Sequence, residues 1–403
     1  MKTAFALSAL AAAALAAGPV LAQDKKEEPF WAVGRPKGAA TAKMAPVPSN
    51  PVPTPADKLP ISKMRLPKGF KAEVFASDVL DGRGMREGDK GTVFVSTLFV
   101  AGKIYALVDE GGKRRVKTIA EKLFLPNGIE FKDGALYVAT PKEILRYDNI
   151  EASLDNPPQP VKVYDQLPGE VPHGWKFIKF GPDGKLYVPI GAPCNICEPD
   201  PEKYAQIMRI NPDGSGREIV ARGVRNTVGF DFHPRTGELW FGDNQRDWLS
   251  EDMPQDELNR VTKIGQNFGY PYCHSGLMVD PQYGWGKDCK SYVKPAALLG
   301  PHAAPLGMRF YTGDMFPAKY RNAIFIARHG PWNRTQKYAA DVVVAYVDAR
   351  GRVSRVEPFL TGLVQNNRYL GRPADVLVMK DGSLLVSDDH NHAIYRITYS
   401  GPR

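Results

Sequence analysis

The chain has 403 residues, four cysteines and a formal net charge of +9, from 53 Lys and Arg against 44 Asp and Glu. The basic excess carries no basic stripe with interleaved aromatics, which argues against nucleic-acid binding and leaves solubility, acidic partners or an anionic cofactor. No apolar run beyond the N-terminus approaches the roughly 20 residues of a membrane helix, so no membrane span is expected.

In chain order, Met1-Lys2 is followed by an Ala/Leu/Phe run to Ala17, and Val20-Leu21-Ala22 precedes Gln23. A basic start, a short apolar stretch and a small-residue cleavage site predict a secretory signal peptide over residues 1–22. There is no Cys at the cut, hence no lipoprotein signal. The expected product is soluble and exported, with the bacterial periplasm as its compartment. Residues 23–62 are rich in Pro, Ala, Lys and Glu (Val47-Pro-Ser-Asn-Pro-Val-Pro-Thr-Pro55) and predict a disordered, polyproline-leaning linker. Residues 63–403 read as one domain.

That domain repeats a unit: alternating apolar strand, Asp-Gly or Pro-Asp-Gly turn, second apolar strand. It runs over Gly128–Thr140, Lys176–Gly191, Val228–Asp243 (turning at Arg235-Thr-Gly237) and Asp375–Asp388, with degenerate copies at Thr92–Ser96 and Asn322–Ala327. Asp-Gly between period-2 segments is a strong hairpin signal. Recurrence about every 45–60 residues is the mark of a propeller, whose blades bury their faces against their neighbours. The expected fold is therefore all-β, a six-bladed β-propeller, with its chemistry on the loops around the channel.

Cys194-Asn-Ile-Cys197 is followed by Glu198 where covalent haem attachment needs His, which argues against a c-type haem. Zinc would require a second matched pair, whereas Cys273 and Cys289 stand sixteen apart. In an oxidising compartment two local disulfides are expected, Cys194–Cys197 and Cys273–Cys289, each stapling a loop.

The candidate chemical residues sit at strand junctions. His173-Gly174 precedes an inner strand, and a rim histidine can serve as a general base near neutral pH. Arg225-Asn226 stands at the same junction one blade later, and Arg372 does so before the last blade. Arg328-His329-Gly-Pro-Trp-Asn-Arg334 gathers cations and an aromatic at a strand exit. His173, Arg225, Arg328 and Arg372 thus recur at one blade position and would converge on one mouth, a pocket for a planar polycarboxylate. The acidic stretch Ser250–Asn259, after Asn244-Gln245-Arg246, offers a loop of oxygen ligands suited to a hard cation.

The order of His-Gly before Phe-Gly-Pro-Asp-Gly-Lys-Leu-Tyr, Arg225-Asn226, Asp256-Glu257-Leu-Asn259 and Asn267-Phe-Gly-Tyr-Pro271 resembles the soluble, PQQ-dependent glucose dehydrogenases. Gly191-Ala-Pro-Cys-Asn-Ile-Cys197, Gly300–Gly313 and Arg328–Arg334 are closer to the sorbosone dehydrogenase branch. The resemblance covers residues 65–400. It implies PQQ at the channel mouth, calcium on the quinone, and oxidation of a sugar or aldehyde with electrons passing to a cytochrome or quinone carrier. By position, His173 would be the base, Arg225 and Asn226 would contact the quinone, and Arg372 would pair with a PQQ carboxylate. The main-chain carbonyls of Gln245 and Arg246 would hold calcium, and Arg328 with His329 would stand where the family has a lysine. Departures are Thr227-Val228 for Pro-Gln, Ala374 for a second arginine, and Gln245-Arg246 for Gly-Pro. Two rival readings are a calcium-dependent lactonase-type hydrolase and a non-catalytic propeller binding a carbohydrate or protein.

Overall fold

A computed structural model describes residues 29–38 and 44–402; the expected signal peptide lies outside them. The strands form six antiparallel blades around a central axis. The first blade is Met85–Glu87, Val93–Ser96, Ile104–Glu110 and Lys113–Ala120, and the second is Gly128–Lys132, Ala135–Ala139, Ile144–Tyr147 and Val161–Tyr164. The third comprises Lys179–Phe180, Leu186–Ile190, Gln206–Ile210 and Glu218–Arg222, with Gln266–Asn267 added at its outer edge in parallel. The fourth is Phe230–Phe232, Leu239–Asp243, Gln255–Arg260 and Ala297–Pro301; the fifth is Pro305–Phe310, Ile324–Arg328, Asp341–Val347 and Val353–Leu360. The sixth takes Pro373–Val378, Leu384–Asp388 and Ala393–Tyr399 from the C-terminus, and its outer strand, Phe70–Ala76, from the N-terminal side. Phe70 pairs with Tyr399 and Ala76 with Ile394, so the ring closes by joining the two ends of the domain.

The four expected hairpins are the two innermost strands of blades two, three, four and six. Second strands such as Ala135–Ala139 and Leu186–Ile190 are buried at every residue. A strand packed on both faces reads as a continuous apolar run, and here each face meets the adjacent blade. Ala135, Tyr137 and Ala139 of blade two pack with Leu186, Val188 and Ile190 of blade three, and Phe325 and Val344 of blade five with Val376 and Val386 of blade six. The larger of these side chains, such as Leu186, Val188 and Phe325, each contribute about 1.5–3 kcal/mol on burial. Outer strands face water: Lys113–Ala120 carries four exposed residues.

The channel is plugged. Arg86, Glu130, Lys179, Asp231, Arg309 and Asp375 come one from each inner strand, with charges alternating around the ring. Arg86 pairs with Glu130 at 3.1 Å and Asp375 at 3.8 Å, Arg309 with Asp375 at 3.3 Å, and Lys179 with Asp231 at 3.4 Å. The guanidinium groups of Arg86 and Arg309 lie 4.9 Å and 5.0 Å from the Phe177 ring. Buried charges are tolerated when paired and hydrogen-bonded, and this ring turns the channel into a cup.

Two expectations need correction. The Pro-rich stretch, expected to be a disordered linker over 23–62, lies on the propeller where it is described: Met44 and Leu59 are buried, and Thr54 donates its N–H to the Asn391 carbonyl at 3.2 Å. Ser250–Asn259, expected to be an acidic loop, runs from Gln255 into the strand Gln255–Arg260, with Asp256 and Glu257 buried because the third strand of a blade is covered on both faces.

Candidate active site

The open end of the cup is a cavity of about 490 Å³, within the roughly 300–1,000 Å³ of small-ligand sites. His173, Arg225, Asn226, Gln245, His329 and Arg372 all line it. The structure adds Arg83 and His302, which occupy the same junction before the inner strands of blades one and five. Sequence reasoning missed both, although the slot that singled out His173, Arg225 and Arg372 would have found them.

His173 has φ +52°, and its Nδ1–H donates to the Ala192 carbonyl at 2.8 Å. A carbonyl only accepts, so this bond fixes the neutral tautomer and leaves Nε2 with an open lone pair. Burial, then the Arg225 charge, push the imidazole down to about 3. Gly174 has a steric role: a Cβ there would collide with the Glu170 carbonyl. The left-handed turn falls on His173 itself. Beneath it, the fully buried Lys176 donates to the Gly174 carbonyl, and desolvation lowers its ammonium to about 7.

Arg225 is held on several sides. Its Nε donates to the Asn195 carbonyl at 2.8 Å, one Nη to the Asn244 carbonyl at 2.9 Å, and the other to Asn195 Oδ1 and Asp247 Oδ2. Asn195 sits inside the Cys194–Cys197 disulfide, so that staple fixes the loop that clamps Arg225. Cys273–Cys289 also forms as expected. Asp243 accepts the backbone N–H groups of Arg225 and Asn226 at 3.1 Å and 2.7 Å, while the Asn226 side-chain amide engages no described residue.

Arg372 differs in kind. It is buried, and its Nε and one Nη donate only to the main-chain carbonyls of His329 and Gly330, at 3.0 Å and 2.9 Å. Among the described residues no carboxylate pairs with it. The nearby Asp389 is spoken for by Arg83 and by His329, whose Nε2–H donates to it at 2.7 Å. Burial, then the Arg372 charge, lower His329 to about 4, while Asp389 is held well below the usual carboxylate range by His329 and Arg83 despite its burial. Asp389 and Asp388 offset part of its charge at a distance, but a buried guanidinium with no contacting carboxylate is costly, and a ligand carboxylate would supply that partner.

Arg328 is not part of this site. It ends the second strand of blade five directly opposite Asp341, which takes its Nε at 2.8 Å and its Nη at 2.6 Å. The cross-strand carboxylate captures the fork before it can reach the mouth. Arg246 likewise turns its side chain to Asp280 at 2.6 Å, and the Gln245 side chain lies between Asp243 and His274. Neither main-chain carbonyl, of Gln245 or of Arg246, accepts a hydrogen bond from a described residue. No group of three His, Cys, Asp or Glu suited to a metal occurs among the described residues, so a cation here would depend on such carbonyls. The Arg372 guanidinium and the Asn226 amide are donors suited to a planar polycarboxylate, while His173 and His329, whose single N–H groups go to the Ala192 carbonyl and Asp389, present ring nitrogens that only accept.

Residues 150–396 match the Glucose / Sorbosone dehydrogenase family. A protein of Borreliella burgdorferi described only as uncharacterized is 34% identical over 354 residues, 84% of this chain and 91% of that protein. A pyrroloquinoline quinone-dependent pyranose dehydrogenase of Coprinopsis cinerea is 33% identical over 130 residues, 27% of this chain and 17% of its own. The PQQ domain of the pyranose dehydrogenase from that organism, in its holo form, has the same fold, with a TM-score of 0.71 at 18% identity over 88% of this chain and 99% of that one. With a six-bladed cup beneath it, that sequence match makes the chain a member of the glucose/sorbosone dehydrogenase family.

Proposed function

We propose that the protein is a periplasmic quinoprotein that oxidises an aldose or sugar aldehyde, with PQQ and calcium as cofactors and a cytochrome or quinone carrier as electron acceptor. The observation that carries the reading is Arg372, buried in the mouth with two carbonyl partners and no carboxylate. PQQ supplies, when bound, an ortho-quinone that accepts hydride and carboxylates that seek cations. Arg372 would hold one of those carboxylates. Asn226 offers a free amide at the floor, and Arg225, clamped by Asn195 and Asp247, supplies fixed positive charge. The carbonyls of Gln245 and Arg246 are the proposed calcium ligands. His173, with its proton on Nδ1, would take on Nε2 the proton of the aldose's anomeric hydroxyl, or of a hydrated aldehyde's hydroxyl, as hydride leaves the carbon that bears it; a positioned base is typically worth about 10²–10⁴-fold.

The deciding experiment is reconstitution. Purified protein with PQQ and Ca²⁺ should reduce an artificial dye in the presence of aldoses or sugar aldehydes, and chelation should abolish it. Turnover that persists in EDTA without PQQ, or hydrolysis of lactones in its place, would overturn the reading.

A further inference from the structure

The cavity has two unlike halves. Its floor is charged, whereas its outer wall is built from apolar side chains that include residues of the Pro-rich arm. Trp31, Pro46, Val47 and Pro48 all face the same space as His173 and Arg372. The arm is fastened on both sides of the mouth. At one side the Trp31 ring meets Trp332 edge-on at 5.9 Å, Trp332 meets Trp248 at 5.2 Å, and Trp248 Nε1–H donates to the Trp31 carbonyl at 3.0 Å. At the other, Asn50 Nδ2 donates to the His390 carbonyl, and His392 Nε2–H donates to the Asn50 carbonyl at 2.8 Å. Thr54 Oγ1 adds a bond to Asn391 Oδ1 at 2.9 Å.

Besides the Asn226 amide and His173 Nε2, two buried polar atoms on residues that line this cavity have no partner among the described residues. The indole N–H of Trp175 and the Oδ1 of Asn333 are both buried, one a donor and the other an acceptor. A buried polar group left unpaired costs about 1–3 kcal/mol, so such atoms mark where a ligand completes the bonding. A hydroxyl both donates and accepts, and can satisfy either. Trp175 stands beside the His173 ring, with centroids 6.5 Å apart.

We propose that the arm is a fixed roof that limits the substrate to one small hydroxylated unit, a single sugar ring or short hydroxyaldehyde, read by Trp175 Nε1–H and Asn333 Oδ1, and that it excludes the chain ends of oligosaccharides. This rests on the dehydrogenase reading above. The floor is left for the planar cofactor, and the roof closes the space that the remainder of a longer sugar chain would occupy.

The test compares wild type with a Trp31→Ala, Asn50→Ala double variant, which removes the Trp31 ring contact and the Asn50 side-chain bond and so loosens both ends without touching the floor. The PQQ- and Ca²⁺-loaded proteins are assayed with the best monosaccharide and with the linear trisaccharide of the same sugar. The trisaccharide-to-monosaccharide ratio of kcat/KM should rise at least about tenfold, mainly through the trisaccharide KM, and Trp31→Phe should retain wild-type selectivity. Trp175→Phe keeps the ring but removes the donor, and should raise KM for the hydroxylated substrate about three- to ten-fold. Limited proteolysis of the unliganded proteins reads the arm independently of activity: wild type should resist cleavage within residues 29–38 and 44–55, and the double variant should be cut there. Equal cleavage in both, or an unchanged selectivity ratio although the arm of the double variant is cleaved, overturns the proposal. A protected arm with no PQQ-dependent turnover on any substrate refutes instead the dehydrogenase reading, and the substrate limit with it.

Discussion

Replacing Arg372 with leucine separates ligand binding from folding. In the unliganded protein its guanidinium is buried with two carbonyl partners and no described carboxylate in direct contact, the nearby charge of Asp389 being already bound by Arg83 and His329. Removing it strips donors from the His329 and Gly330 carbonyls, a loss of about 1–3 kcal/mol for each that stays dry. It also removes a buried charge whose desolvation, several kcal/mol for an ion, is only partly offset by the nearby Asp388 and Asp389. These terms oppose each other, so the unliganded stability of Arg372→Leu should stay within about 2 kcal/mol of wild type. Binding has no such compensation. A hydrogen bond to a charged group is worth about 1.5–3 kcal/mol, so PQQ affinity should fall roughly 10- to 150-fold. Fluorescence titration with PQQ beside denaturant unfolding of the apo-protein measures both quantities. A PQQ Kd within about twofold of wild type would refute the assignment of Arg372 to a ligand carboxylate.

His173→Gln should retain PQQ binding while kcat falls at least about 10²-fold; near-wild-type kcat at saturating PQQ would move the base elsewhere, with His329 next. Because burial holds free His173 at about 3, kcat/KM should show no acid limb near the ordinary histidine value, and a limb there would contradict the buried neutral base. Lys176 titrates at about 7 folded, far below its unfolded value, so the unfolded chain binds more protons between the two and stability should rise with pH there, by up to about 1.4 kcal/mol per pH unit. That slope should vanish in Lys176→Met when unfolding is followed between about pH 7 and 9. A Cys194→Ser, Cys197→Ser variant should weaken PQQ binding without abolishing folding, because the loop that holds Asn195 against Arg225 is loosened; unchanged affinity would show that the clamp does not need its staple.

The blades were legible because Asp-Gly turns between apolar runs are local signals, and a strand covered on both faces announces itself by composition. His173, Arg225 and Arg372 were found for a related reason: each stands just before an inner strand, where a propeller points residues at its mouth. Arg328 was misplaced because spacing along the chain cannot show that Asp341, thirteen residues later, lies opposite it. The arm was hidden by its own composition. A Pro-rich stretch with few apolar residues cannot build a core, yet its stiffness lowers the entropy lost on docking against aromatic side chains. Trp31 and Asn50, its fastenings, carry no periodic signal. The inner-strand charges were also overlooked, although Gly-Met-Arg, Gly-Ile-Glu, Gly-Phe-Asp and Gly-Met-Arg repeat at the start of blades one, two, four and five.

Those charges have a bearing on how many blades the ring can contain. Positive and negative side chains alternate once per blade, and the sixth, Asp375, meets both the fifth and the first, Arg309 and Arg86. Alternation closes only around an even count. Loss or duplication of a single blade would set two like charges side by side in a largely buried channel, where repulsion is screened less than at the surface. The plug therefore works as a parity check on assembly, tolerating in principle the exchange or insertion of adjacent blades as pairs but penalising any odd change. Circular permutants, which keep the order around the ring, should pass it, whereas five- and seven-bladed variants should not.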